Sequence, residues 1–97
     1  MTRIVFVSGP YRGDVAANIA KARELAVRIW QAGDIAVCPH TNSALMDGLA
    51  SDEAFLSGYL ELLKRCDCIA LVEGWEKSEG SRAEVALANE LGMERWG

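Results

Sequence analysis

The sequence predicts a three-layer α/β fold, with a parallel sheet of about four to five strands and helices on both faces. Three observations carry that expectation. Ile4-Val5-Phe6-Val7, Ile35-Ala36-Val37-Cys38 and Cys68-Ile69-Ala70-Leu71-Val72 are short, continuously apolar runs, the pattern of strands buried on both faces. Between them lie longer segments whose apolar residues recur at helical spacing. Strict alternation of the two kinds of segment implies helical crossovers between parallel neighbours.

Each element follows from local chemistry. The first run ends in Ser8-Gly9-Pro10, a turn signal that closes a central strand. Asp14 is a good N-cap, and Val15, Ile19, Ala22, Ala26, Ile29 and Trp30 mark the inward face of a helix that Gly33 stops. The second strand closes at Pro39, which cannot donate to a continuing ladder. Residues 40–51 have little periodicity and are long enough to act as a lid, with room for a helical turn. Asp52 is the expected cap of the next helix, whose Phe55, Leu56, Tyr59, Leu60, Leu62 and Leu63 form an apolar face wider than one sheet contact. After the third strand comes a loop over 73–80, then a helix expected from Ser81 to Leu91 with Gly92 just beyond it, and Met93 to Trp96 as a last strand. A flavodoxin-like, Rossmann-type order 2-1-3-4 puts the switch point between the first and third strands, where open α/β sheets bind ligands.

Size and composition narrow the function classes. The 97 residues make one domain, 1–97, and an apolar fraction of 51% with two prolines excludes disorder. A net charge of −4 argues against a nucleic-acid polymer as partner and for a small molecule. No apolar run is long enough to span a bilayer, and Met1-Thr2-Arg3 leads into strand pattern rather than a signal peptide, so a cytoplasmic location is expected. Cys38, Cys66 and Cys68 with a single histidine make a poor zinc pattern. They are expected as reduced thiols in or near the core, with no metal and no cofactor.

Two loops should meet at the switch point. The segment Ser8-Gly9-Pro10-Tyr11-Arg12-Gly13-Asp14 is neither a dinucleotide fingerprint nor a Walker loop. Gly9 and Gly13 nevertheless let backbone N–H groups approach a ligand, the following helix adds a positive dipole end, and Arg12 offers a bidentate contact. Opposite, Gly80-Ser81-Arg82-Ala83-Glu84 delivers a carboxylate at the opening of a helix. Ser81-x-x-Glu84 also has the form of a capping box, which requires no chemistry. His40 lies on the same sheet edge, as a catalytic group or as a loop hydrogen-bonder. Trp75 is suited either to stack on a ligand ring or to cover a domain or subunit edge.

With these motifs placed, nearly the whole chain resembles the nucleoside 2-deoxyribosyltransferase-like superfamily, most closely its small members with a Ser-Gly-Pro-Tyr-Arg-Gly opening. The resemblance rests on Val7 to Gly13, on Leu62-Leu63-Lys64-Arg65-Cys66-Asp67, and on the segment from Gly74 to Glu84. It implies that Glu84 attacks the anomeric carbon of a nucleoside or nucleotide, holds the sugar as an ester, and passes it to another base or to water. Ser8 to Gly13, His40, Trp75, Gly80 and Ser81 are then the implied substrate-binding residues. The family pattern also expects a tyrosine on the first strand and an aspartate in the helix before the third, where this chain has Phe6 and Tyr59. Tyr11, Asp47, Asp52 and Glu79 are the nearby residues able to compensate. A homodimer or higher homo-oligomer, with sites completed by the neighbour, is implied as well. The alternative is a non-catalytic module that binds a nucleotide-like ligand in the same cleft.

Overall fold

The computed structural model describes residues 2–97; Met1, the lead-in to the first strand, lies outside the described residues. The elements run β1 (Ile4–Ser8), α1 (Val15–Gln31), β2 (Ile35–Val37), α2 (Pro39–Asn42), α3 (Asp52–Leu63), β3 (Cys68–Leu71), a 3-10 turn (Trp75–Lys77), α4 (Glu79–Glu90) and β4 (Glu94–Arg95). The four strands are parallel, as the element order implies, and lie in the expected flavodoxin-like order β2-β1-β3-β4.

Successive residues of a strand face opposite sides of the sheet, and β1 displays this directly. Val5 and Val7 pack on the α1 side with Ala22, Leu25, Ala26 and Ile29. Phe6 packs on the other side with Leu63 of α3, Ile69 of β3 and Val85 and Ala88 of α4. Two cores therefore sandwich one sheet, which is why β1 is apolar at every inner position. Its Phe6 and Ser8 share the face that looks toward α4.

Cap chemistry departs from expectation at two helices. For α3 the cap is Ser51, whose hydroxyl accepts from Ala54 N, while Asp52 is the first helical residue and turns its carboxylate to Arg12. For α4 the cap is Ser78, which accepts from Ser81 N at 3.2 Å, so the helix starts at Glu79 rather than Ser81. Ser81 consequently lies inside the first turn, and the capping-box assignment of Ser81-x-x-Glu84 falls. Trp30 is also corrected: it is 56% exposed, because Ile29 takes the inward position at that turn of α1. The last strand is shorter than expected, two residues instead of four.

Asp34 ties the far end of the sheet together. Its carboxylate accepts from Arg3 N and Nη2 and from Trp96 Nε1, each at 3.1 Å, joining the start of β1, the α1–β2 turn and the end of the chain. Those bonds, led by the Arg3 backbone N–H, hold its pKa below the usual carboxylate range. Cys38, Cys66 and Cys68 are buried free thiols, and burial pushes Cys66 up to about 11. No helix of the described residues is long and apolar enough to cross a membrane.

Candidate active site

The site is built where β1 and β3 end side by side, at the pairing of Ser8 with Leu71. Beyond that pair the two chains part, and Gly9 passes directly over Val72. A Cβ at position 9 would stand 2.5 Å from the Val72 Cβ, closer than side-chain atoms approach one another. Glycine is required there by close approach, and the β1 loop clears β3 to wall a cavity of about 340 Å³. That is the size of a small-ligand pocket.

Most of the expected residues meet in it. Gly9, Tyr11, Arg12, His40, Gly80, Ser81 and Glu84 line the cavity, while Ser8 lies against it, buried and bonded to Glu84. Pro10 contributes through its carbonyl, which takes a hydrogen bond from His40. Gly13 and Trp75 stand off the lining. Trp75 instead covers the domain edge, packed on the Phe6 core with the Arg95 guanidinium 5.9 Å from its ring centroid.

Glu84 is the chemical centre of the arrangement. Ser8 Oγ donates to Glu84 Oε1 at 2.6 Å, and Ser8 Oγ lies 3.2 Å from Ser81 Oγ. Burial disfavours the ionised carboxylate and pushes its pKa up to about 7, a rise that the Ser8 hydrogen bond partly offsets. Glu84 is therefore near the midpoint of its titration at neutral pH, as groups that take part in acid, base or nucleophilic steps commonly are.

The surrounding side chains are braced in pairs. Tyr11 donates to Asp47, 2.7 Å from both carboxylate oxygens, which raises the phenol's pKa. Arg12 is bonded to Asp52, and both are largely exposed. These two ties hold the segment after α2 against the β1 loop. His40 Nε2 lies 2.8 Å from Pro10 O, so the neutral ring carries its proton on Nε2, and burial lowers its pKa. Its Nδ1 is buried without a partner. Tyr59 Oη bonds Ser43 Oγ at 2.7 Å and receives Asn42 Nδ2 at 3.1 Å. Phe6 is wholly buried in the core beneath.

Three carboxylates, on Asp47, Asp52 and Glu84, share the cavity with one guanidinium, on Arg12. Ser43, Phe55, Leu56 and Ser78 also line it and were not among the expected site residues, Phe55 and Leu56 having been read only as part of an apolar helix face. The only signal for the first three was the position of the long polar segment and the helix after it. Ser78 competes with Ser81 as a cap, and sequence spacing does not rank them.

The family model described as "Domain of unknown function (DUF7768)" matches residues 3–96. The chain belongs to this family. No curated protein matches it. The DUF7768 match spans β1 through β4, so every wall of the cavity lies within the family's own region.

Proposed function

We propose that this DUF7768 chain cleaves or transfers the N-glycosidic bond of a (deoxy)nucleoside or nucleotide, with Glu84 as the nucleophile. The observation that carries this is the Glu84 carboxylate, the one part-buried acid among the three that line the cavity, poised near neutrality by desolvation and by Ser8 in a space that fits a small ligand. In the ionised form a Glu84 oxygen lone pair forms a bond to C1 of the sugar as the C1–N bond breaks. The bond's electron pair passes to the base nitrogen, which takes a proton from water. Water or a second base then displaces the glutamate from C1, restoring the carboxylate.

Incubation of the protein with a panel of nucleosides and nucleotides, followed by chromatography for free base, tests the proposal. Release of base by the protein and its loss in Glu84→Gln, together with a sugar adduct on Glu84 detected by mass spectrometry, is the expected result. Base release that survives in Glu84→Gln refutes the mechanism.

A specific set of contacts favours a second reading, a binding module without turnover. The two other cavity carboxylates are held by Tyr11 and Arg12, the Tyr59 hydroxyl is held by Ser43, and Phe6 offers no polar atom. Nucleoside binding in calorimetry without base release under any condition selects that reading.

The same proposal includes a second copy of the chain and a cytoplasmic setting. Of the apolar face of α3 only Leu63 is buried, with Leu56 40% exposed beside the cavity it lines. Such surface suits an isologous neighbour. Light scattering that finds a monomer across a wide concentration range removes this part. Three buried free cysteines suit a reducing compartment.

A further inference from the structure

The Ser8–Ser81 pair lies between the central strand and the first turn of α4, and both side chains are almost wholly buried, at 0% and 1% exposure. A serine on the inner face of a strand that is otherwise apolar needs a partner, because an unbonded buried hydroxyl is costly. Its partner is Glu84, 76 residues along the chain. A hydroxyl has one proton, and the shorter, charge-assisted contact to Oε1 takes it. Ser81 then donates its own proton to Ser8 Oγ across 3.2 Å. Two hydroxyls in line thus end on one oxygen of the carboxylate.

The other oxygen is left open. Oε2 accepts from none of the described residues, and among them His40 Nδ1 is the one fully buried side-chain nitrogen or oxygen without a partner, so Oε2 is not sealed in and is in contact with the cavity that Glu84 lines. We propose that Ser8, backed by Ser81, is a positioning residue: it anchors Oε1 and thereby presents Oε2 to the ligand. This rests on the role given to Glu84 above.

The pair serves both protonation states. When Glu84 carries a proton, that proton is donated to Ser8 Oγ, and the Ser8 hydroxyl turns to Ser81, so no buried group loses its partner. The other titratable groups of the cavity are engaged elsewhere. Tyr11 is held by Asp47, Arg12 by Asp52, His40 by Pro10 and Tyr59 by Ser43. Ser8 is the one described residue that bonds the Glu84 carboxylate.

Titration of the Glu84 side-chain carbon by NMR in glutamate-labelled protein, assigned by its disappearance in Glu84→Gln, tests this without any need for turnover. Removing a donor from an ionised group moves the Ser8→Ala midpoint upward by about one pH unit, roughly a tenfold loss of ionised Glu84 at a fixed pH below the midpoint. Ser8→Thr keeps the hydroxyl and keeps the wild-type midpoint. Ser81→Ala shifts it in the same direction by less. The acid limb of any base-release profile moves with the same midpoints. An unchanged midpoint in Ser8→Ala overturns the proposal, as does an equal shift in Ser8→Ala and Ser8→Thr. If Ser8→Ala does not fold, Ser81→Ala and Ser8→Thr still decide, since a midpoint unmoved by Ser81→Ala or moved by Ser8→Thr overturns it. Shifted midpoints with no base release from any substrate leave the positioning role intact and refute the glycosidic function. Base release that requires Glu84 but ignores Ser8 at every pH does the reverse.

Discussion

Replacing Glu84 by glutamine should stabilise the protein, and only above acidic pH. In the folded chain the Glu84 pKa lies at about 7 against an ordinary 4.5, with burial as the main cause. Below pH 4.5 both folded and unfolded chains hold the proton, and its contribution to stability is complete. As the pH rises the unfolded chain ionises first, so stability is lost until the folded carboxyl ionises near pH 7. The difference of about 2.5 in pKa, at about 1.36 kcal/mol for each, sets an upper limit of about 3.4 kcal/mol. Glu84 is only part-buried at an open cavity, which screens part of that, and about 2–3 kcal/mol is the expected size. Glutamine has no proton to lose and can still accept from Ser8. For a domain of this length each kcal/mol moves Tm by about 4–8 °C, which puts the variant about 8–24 °C above the wild type at pH 8. At pH 4 the two should coincide. Other titrating groups, Asp34 among them, are common to both proteins and cancel in the difference. Thermal unfolding followed by circular dichroism from pH 4 to 8 reads this directly. A gap that stays constant across the range refutes the buried, half-titrated carboxylate.

Gly9→Ala forces a Cβ to 2.5 Å from Val72 Cβ; overpacking of this kind costs about 1–3 kcal/mol, read as a fall in Tm, and an unchanged Tm contradicts the close crossing. Asp34→Asn should weaken the protein at pH 7 and make little difference at pH 2, because a carboxyl with a lowered pKa contributes above its ordinary range and loses that contribution as the pH falls through its folded value. Urea unfolding at the two pH values measures it, and an equal loss at both would count against the Arg3 and Trp96 contacts as the cause. Tyr11→Phe removes the tie to Asp47; amide exchange over residues 43–50 should quicken while global stability changes by about 1 kcal/mol or less. Unaltered exchange there shows that Tyr11 does not hold that segment.

The first three strands were legible because their apolar runs are unbroken and each ends in a turn signal; alternation of elements then makes the sheet parallel, and the flavodoxin-like choice of order 2-1-3-4 matches the one found. The caps were harder, and both errors have one cause. Ser51 and Asp52 compete for one helix start, Ser78 and Ser81 for another. In each pair the residue left free to cap is the one without a distant partner, since Asp52 bonds Arg12 and the Ser81 hydroxyl meets Ser8, 40 and 73 residues away. Local spacing carries no trace of those contacts. Trp30 fails for a related reason: a helical stripe gives a direction but not the width of the sheet that must cover its edge. For the site, the sheet edge gathered most of the chosen residues around one cavity. The serine anchor on Glu84 became visible only when the side of β1 was known.

The bond between Ser8 and Glu84 closes almost the whole chain into one loop. During synthesis the first strand emerges long before its later partners, and β1 waits with one edge unpaired until β3 arrives. A nascent chain that has reached only Gly74 holds β1, α1, β2, α2, α3 and β3 but no acid against its serine. The cavity is therefore finished only by the last quarter of the chain: up to Gly74 the walls are tied to one another by Tyr11–Asp47, Arg12–Asp52 and His40–Pro10, but the side formed by Ser78, Gly80, Ser81 and Glu84 is missing. Because the entropic cost of closing a loop grows as the logarithm of its length, joining residues 76 apart costs roughly 2–3 kcal/mol more than closing a turn of about four residues, which the rest of the sheet and its two cores must supply.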